Sequence, residues 1–216
     1  MTFLAAYTYS KAIDNSSGFG QWVNFENSRL TRSLSSFDTT HNFVFSYNWA
    51  VPFDRAFRGA PKRLTQGWNL AGITRFTGGL PVAISENQDD LSLTGSANTD
   101  EPNVVGKVHI TDPRNPLHTF FNRDAFGPGP VGEFGNSNRQ FFHGPGINNF
   151  DMTLMKTTKI TESKSFDIRA DFFNVFNHAQ FLNPDGNFIS SGGDQMGIVS
   201  SARPGRVGQV SAKFYF

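Results

Sequence analysis

The sequence predicts an all-β chain: antiparallel up-and-down strands forming the C-terminal, incomplete portion of a transmembrane β-barrel with long external loops, over residues 1–216. Three observations carry this. Six segments have the length of a barrel strand, about nine to eleven residues, and alternate in type so that one face is apolar and the other polar. The chain holds 24 Phe but only 17% charged residues, and its mean hydropathy is nonetheless -0.37, because the second face and the loops are polar. Short and long connectors alternate along the chain. Barrels of the outer membrane have short periplasmic turns and longer extracellular loops.

The first predicted strand is Thr2 to Lys11, with Phe3, Ala5, Tyr7 and Tyr9 on one face. The second, His41 to Val51, places Phe43, Phe45, Tyr47 and Trp49 opposite Asn42, Val44, Ser46 and Asn48. Four large aromatics in succession suit lipid better than a close-packed core, which favours mixed sizes. The third, Gly67 to Thr77, sets Trp68, Leu70, Thr74 and Phe76 against Asn69, Ala71, Ile73 and Arg75. The fourth is Asn149 to Lys159, with Phe150, Met152 and Leu154 against Asp151, Thr153 and Met155. Lys156 interrupts its apolar face near the periplasmic end, where its stem can snorkel to the interface.

The fifth strand, Ser165 to Asn174, sets Phe166, Ile168, Ala170 and Phe172 against Asp167, Arg169 and Asp171. Three charges in a dry core would be very costly. In a wet lumen they are cheap. The sixth is Arg206 to Phe216, where Gly208, Val210, Ala212, Phe214 and Phe216 share a face and Gln209, Ser211, Lys213 and Tyr215 take the other. The expected lipid-facing residues are therefore Phe43, Phe45, Tyr47, Trp49, Trp68, Phe150, Phe166 and Phe172, and the expected lumen-facing ones Asp151, Asp167, Arg169, Asp171 and Lys213. Gly208, Val210, Ala212, Phe214 and Phe216 are also expected to be the barrel-assembly signal, with Phe216 at the aromatic girdle.

The connectors Ala12 to Thr40, Gly78 to Asn148 and Val175 to Gly205 are long, whereas Pro52 to Gln66 and Ile160 to Lys164 are short. Counting back from a final strand that runs into the periplasm puts every long connector outside. A long structureless loop is unusual, so Leu80 to Ser85 and Val104 to Ile110 are expected to add short strands, paired as a hairpin above the membrane.

Several classes are excluded. No stretch approaches the roughly 18 apolar residues of a membrane helix. With no Cys there are no disulfides or thiolate metal sites, and a net charge of +1 without a basic run argues against nucleic acid. The segment Met1 to Ser10 lacks the basic and apolar regions of a signal peptide and reads as a strand under way, so the expectation is a C-terminal fragment of a larger protein. His41, His109, His118, His143 and His178 lack metal-site or catalytic spacing, and no enzyme activity or cofactor is expected. His178 reads as a structural hydrogen-bonder at an extracellular strand end. Asp89-Asp90 and Asp100-Glu101 have the hard oxygens a divalent cation needs, yet they match no calcium-loop pattern and read as solvated loop.

The strings Ser36-Phe37-Asp38-Thr39-Thr40-His41-Asn42-Phe43, Gly67-Trp68-Asn69-Leu70-Ala71-Gly72-Ile73, Gly78-Gly79-Leu80-Pro81, His143-Gly144-Pro145-Gly146, Asn148-Asn149-Phe150-Asp151 and Arg169 to His178 occur in an order and spacing that resemble the barrel's C-terminal part in Oar-like (OmpA-related) TonB-dependent receptors. The run from Arg169 to His178, followed by Gln180-Phe181 and by Arg203-Pro204-Gly205-Arg206, is the most specific part. The resemblance covers nearly the whole chain. It implies a Gram-negative outer membrane, a barrel of about 22 strands around a plug, and uptake of an unknown substrate powered through TonB. Its implied partners are outer-membrane lipid, the TonB system and the barrel-assembly machinery, all through the parent protein. The chain departs from the family in having no plug and no TonB box, and six strands are too few to close a lipid-spanning barrel. The alternative is a soluble secreted β-sandwich that binds carbohydrate or protein through its loops.

Overall fold

The structure, a computed structural model, describes residues 1–18, 27–86, 100–130, 133–189 and 192–216. Six strands form one sheet: β1 (Thr2–Tyr9), β2 (His41–Val51), β3 (Trp68–Thr77), β4 (Ile147–Lys159), β5 (Ser165–Phe173) and β6 (Val207–Tyr215). Their order in space is their order in sequence, and every neighbouring pair is antiparallel. All six predicted strands are present. β2 keeps its predicted ends, and the others shift by one or two residues because the partner sets the length: β4 begins at Ile147, since Ile147 and Asn148 still pair with Thr77 and Phe76.

β1 and β6 each pair on one side only, so the sheet is open. Both are exposed along their whole length. No helix among the described residues is long and apolar enough to cross a membrane. Among the described residues no second sheet is stacked on this one, which removes the sandwich alternative's required partner layer.

The registers place the connectors. Val51 pairs with Trp68, and Ser165 with both Lys159 and Tyr215, so the two short connectors leave from one end of the sheet. The first of these holds two single-turn helices, Phe53–Ala56 and Lys62–Thr65, each preceded by a proline, Pro52 or Pro61. Gly67 then enters β3 at φ +79, and a Cβ there would lie 2.1 Å from the carbonyl oxygen of Thr157. Only glycine admits that approach.

The three long connectors fold together at the opposite end. Ile13–Asp14 pairs antiparallel with Ser33–Leu34, Asn103–Val104 antiparallel with Phe126–Gly127, and Ser85–Glu86 parallel with Asn187–Phe188. The hairpin expected between Leu80–Ser85 and Val104–Ile110 is not formed. Only Ser85 and Val104 of those stretches fall in strands, Ser85–Glu86 and Asn103–Val104, and each strand pairs with another segment, because what the connectors share is a core. Val82, Ile84, Phe120, Phe121, Phe126, Phe188, Met196 and Val199 are buried together, and Phe142 packs against them. Full burial of one such side chain contributes about 1.5–3 kcal/mol. The chain's hydrophobic core therefore sits in this cap, beyond the strand ends, and the sheet itself has none.

Candidate functional site

Residues paired across antiparallel strands share a face, so the registers sort every strand residue. Phe3, Tyr47, Gly72 and Met152 lie on one face, together with Tyr7, Phe43, Phe76 and Asn148. That face carries all eight aromatic residues expected to meet lipid: Phe43, Phe45, Tyr47, Trp49, Trp68, Phe150, Phe166 and Phe172. Phe166 stands opposite Phe214, and Phe76 meets Phe150 edge-on at 5.6 Å. Gly208, Val210, Ala212 and Phe214 continue the same face onto β6. Lys156 lies on it at the short-connector end, where its ammonium bonds the Gln66 carbonyl and stands 5.7 Å from the Trp68 ring.

The opposite face is polar and brings together Asp151, Asp167, Arg169, Asp171 and Lys213. Asp171 is its hub. Its carboxylate accepts from Thr153 Oγ1 at 2.6 Å, Arg169 Nε at 2.7 Å and Gln209 Nε2 at 3.1 Å, joining β4, β5 and β6. Arg169 thus pairs with Asp171, whereas Asp167 keeps one buried oxygen without a hydrogen bond. Lys213 is the strand partner of Asp167, but its ammonium lies 4.7 Å above the Tyr215 ring. Further along this face Asn69 donates to Asn48, and Arg75 to Thr77, which donates to Asn42.

At the long-connector end this face borders a pocket of about 460 Å³ lined by Arg75, Asn149, Asp151, Phe173 and Arg203. Gln180 fastens the pocket's outer wall. Its side chain accepts from the Asn148 amide at 2.9 Å and donates to the Asn148 carbonyl, while its own carbonyl accepts from Arg203 N at 2.8 Å. Asp151 Oδ1 accepts from Asn149 and from the Asn174 amide, the latter held at φ +50. Guanidinium forks beside a carboxylate can grip a polar solute by charge and hydrogen bonds.

The cap contains pairings that sequence periodicity did not reveal. His143 Nε2 lies 2.7 Å from Asp38 Oδ2, and Asp38 also accepts from the Ala12 amide and Thr40 Oγ1. Burial tends to raise the Asp38 pKa, but these hydrogen bonds outweigh it and hold the carboxyl below its usual range. Arg139 pairs with Asp14 at 2.8 Å and Arg123 with Asp194 at 2.7 Å. His178 is hydrogen-bonded through its backbone, which both ends of the Asn174 side-chain amide hold. The ring instead stands 6.2 Å from Phe150 and 6.0 Å from Phe176.

Asp89-Asp90 lies outside the described residues. Asp100 and Glu101 are buried rather than solvated, contrary to expectation, because the cap closes over them. Burial, then the charge of Asp100, pushes Glu101 up to about 8. Among the described residues no group of three or more His, Asp or Glu side chains is arranged to hold a metal ion.

A family model described as "outer membrane beta barrel domain" matches residues 1–209. Comparison with curated proteins and with solved structures gives no match.

Proposed function

Because the chain belongs to the outer membrane beta barrel domain family and resides in the Gram-negative outer membrane, we propose that it forms part of the wall of a TonB-dependent receptor that takes up a polar substrate. The observation that carries this reading is the segregation of the sheet into a face rich in aromatic residues and a charged, hydrogen-bonded one. The aromatic face meets lipid. The polar face, with Asp151, Asp167, Arg169, Asp171 and Lys213, lines the lumen, and the cap lies outside the cell.

The chain's role on this reading is transport and binding, with no catalytic step. Its partners are outer-membrane lipid, the assembly machinery that receives β6, and TonB acting through the parent protein. On this reading an entering solute first meets the lumen at the pocket lined by Arg75, Asp151 and Arg203. Uptake by cells carrying the parent receptor, measured with TonB intact and deleted, tests the proposal. Loss of uptake without TonB is the expected result. Uptake unchanged without TonB would make the protein a passive pore.

A further inference from the structure

A second cleft, of about 450 Å³, opens at the cap end of β1, between the first long connector and the segment leading to β4. Tyr9 and Phe141 form its aromatic border, Lys11 and Arg32 its charged groups, and Asn138 and Gln140 part of its polar wall. Lys11 and Arg32 have no carboxylate partner among the described residues, whereas Asp14 and Asp38 of the same connector are paired with Arg139 and His143. Among the described residues the cleft thus carries positive charge that no carboxylate offsets. Gln140 is only 3% exposed, and its Oε1 has no hydrogen-bond partner. Buried polar atoms are normally satisfied, and Gln140 is one of the residues that line the cleft.

Its position narrows the ligand. Tyr9 is the last residue of the aromatic face on β1, next to the Tyr7–His41 hydrogen bond. Where an aromatic face ends, the headgroup layer begins. A cationic cleft continuous with that border meets the outer leaflet, and anionic headgroups are drawn to basic pockets at the surface.

We propose that this cleft holds the phosphorylated sugar headgroup of an outer-leaflet glycolipid. Lys11 and Arg32 take the phosphate, the Asn138 and Gln140 amides meet sugar hydroxyls, and Tyr9 and Phe141 cover the apolar edge of the ring. This inference rests on the outward orientation of the cap in the preceding reading.

The test uses the parent protein that carries this chain, extracted from outer membranes in zwitterionic detergent and titrated with a phosphorylated diglucosamine lipid. Binding should weaken at least tenfold in the Lys11→Ala/Arg32→Ala double variant and equally for wild type with the dephosphorylated lipid. Lys62→Ala/Arg63→Ala removes the same charge at the opposite end of the sheet and should change nothing. Equal affinity in all three proteins, or equal loss in both double variants, overturns the site. Loss confined to Lys62→Ala/Arg63→Ala would overturn the orientation itself. Soluble glucosamine 1-phosphate binding as tightly as the lipid would replace the lipid source with a free sugar phosphate.

Discussion

His143 Nε2 and Asp38 Oδ2 meet at 2.7 Å although 105 residues separate them, joining the first long connector to the segment that leads into β4. Asp38 is buried and His143 only partly so, so His143→Ala leaves a buried carboxylate short of one donor. A hydrogen bond to a charged group is worth about 1.5–3 kcal/mol. Hydrogen exchange at the Ala12 amide, which donates to the same carboxylate, should accelerate by roughly 10- to 100-fold. Because the Asp38 pKa is depressed in the fold, its contribution is complete above the unfolded carboxyl value of about 3.9 and is lost as pH falls through the lower folded value.

Gly79 lies against Gly144, and a Cβ on Gly79 would stand 1.9 Å from the Gly144 carbonyl oxygen. Neither backbone can yield easily, because Gly144 N donates to Leu80 O at 2.8 Å. Gly79→Ala should cost about 1–3 kcal/mol or more. The readout is the urea midpoint of the protein in lipid vesicles, and Gly59→Ala, where a Cβ meets nothing within 4 Å, should leave it unchanged.

Phe45 and Ser46 are neighbours near the middle of β2 on opposite faces. A lysine facing lipid at the bilayer midplane costs about 2–4 kcal/mol, whereas lumen positions tolerate charge. Phe45→Lys should therefore reduce the folded, membrane-inserted fraction, and Ser46→Lys should not. The reverse result would interchange the lipid and lumen faces.

Asp171 gathers donors from Thr153, Arg169 and Gln209. Asp171→Ala strands all three at once. A loss of about 1–3 kcal/mol should appear as a lower unfolding midpoint in vesicles, with faster amide exchange concentrated along β5 and β6.

Glu101 is buried beside Asp100 and holds its proton up to about 8. A carboxyl whose folded pKa is raised stabilises most below its unfolded value, and that contribution fades as pH climbs toward the folded one. Cap stability should therefore fall between about pH 4.5 and pH 8, and Glu101→Gln should flatten the slope. The Glu101→Gln-to-wild-type ratio of exchange rates at the Ser137 amide, which donates to Pro102 O, reports it.

The strands were legible because a strand writes its two faces into the sequence with period two. Phe43 to Trp49 and Asp167 to Asp171 gave both the strand and its sides. The cap was not. Val82, Phe121 and Phe188 sit in stretches rich in Gly, Pro and Asn, they come from different connectors, and no local period links them. Asp38 lies in the string Ser36 to Phe43, whereas its partner His143 opens another, His143 to Gly146. Connecting them requires the register of the sheet between. Glu101 read as solvated loop for the same reason, since the groups that bury it lie far away in sequence.

The location of the hydrophobic core beyond the strand ends divides the molecule by what holds it together. The cap keeps its apolar residues from water by folding them onto one another, so urea attacks it directly. On the proposed reading the aromatic face is shielded by acyl chains, so bilayer thickness and detergent choice govern it. The same protein can therefore lose its folded cap while its sheet stays embedded, or be lifted from the membrane with the cap still folded.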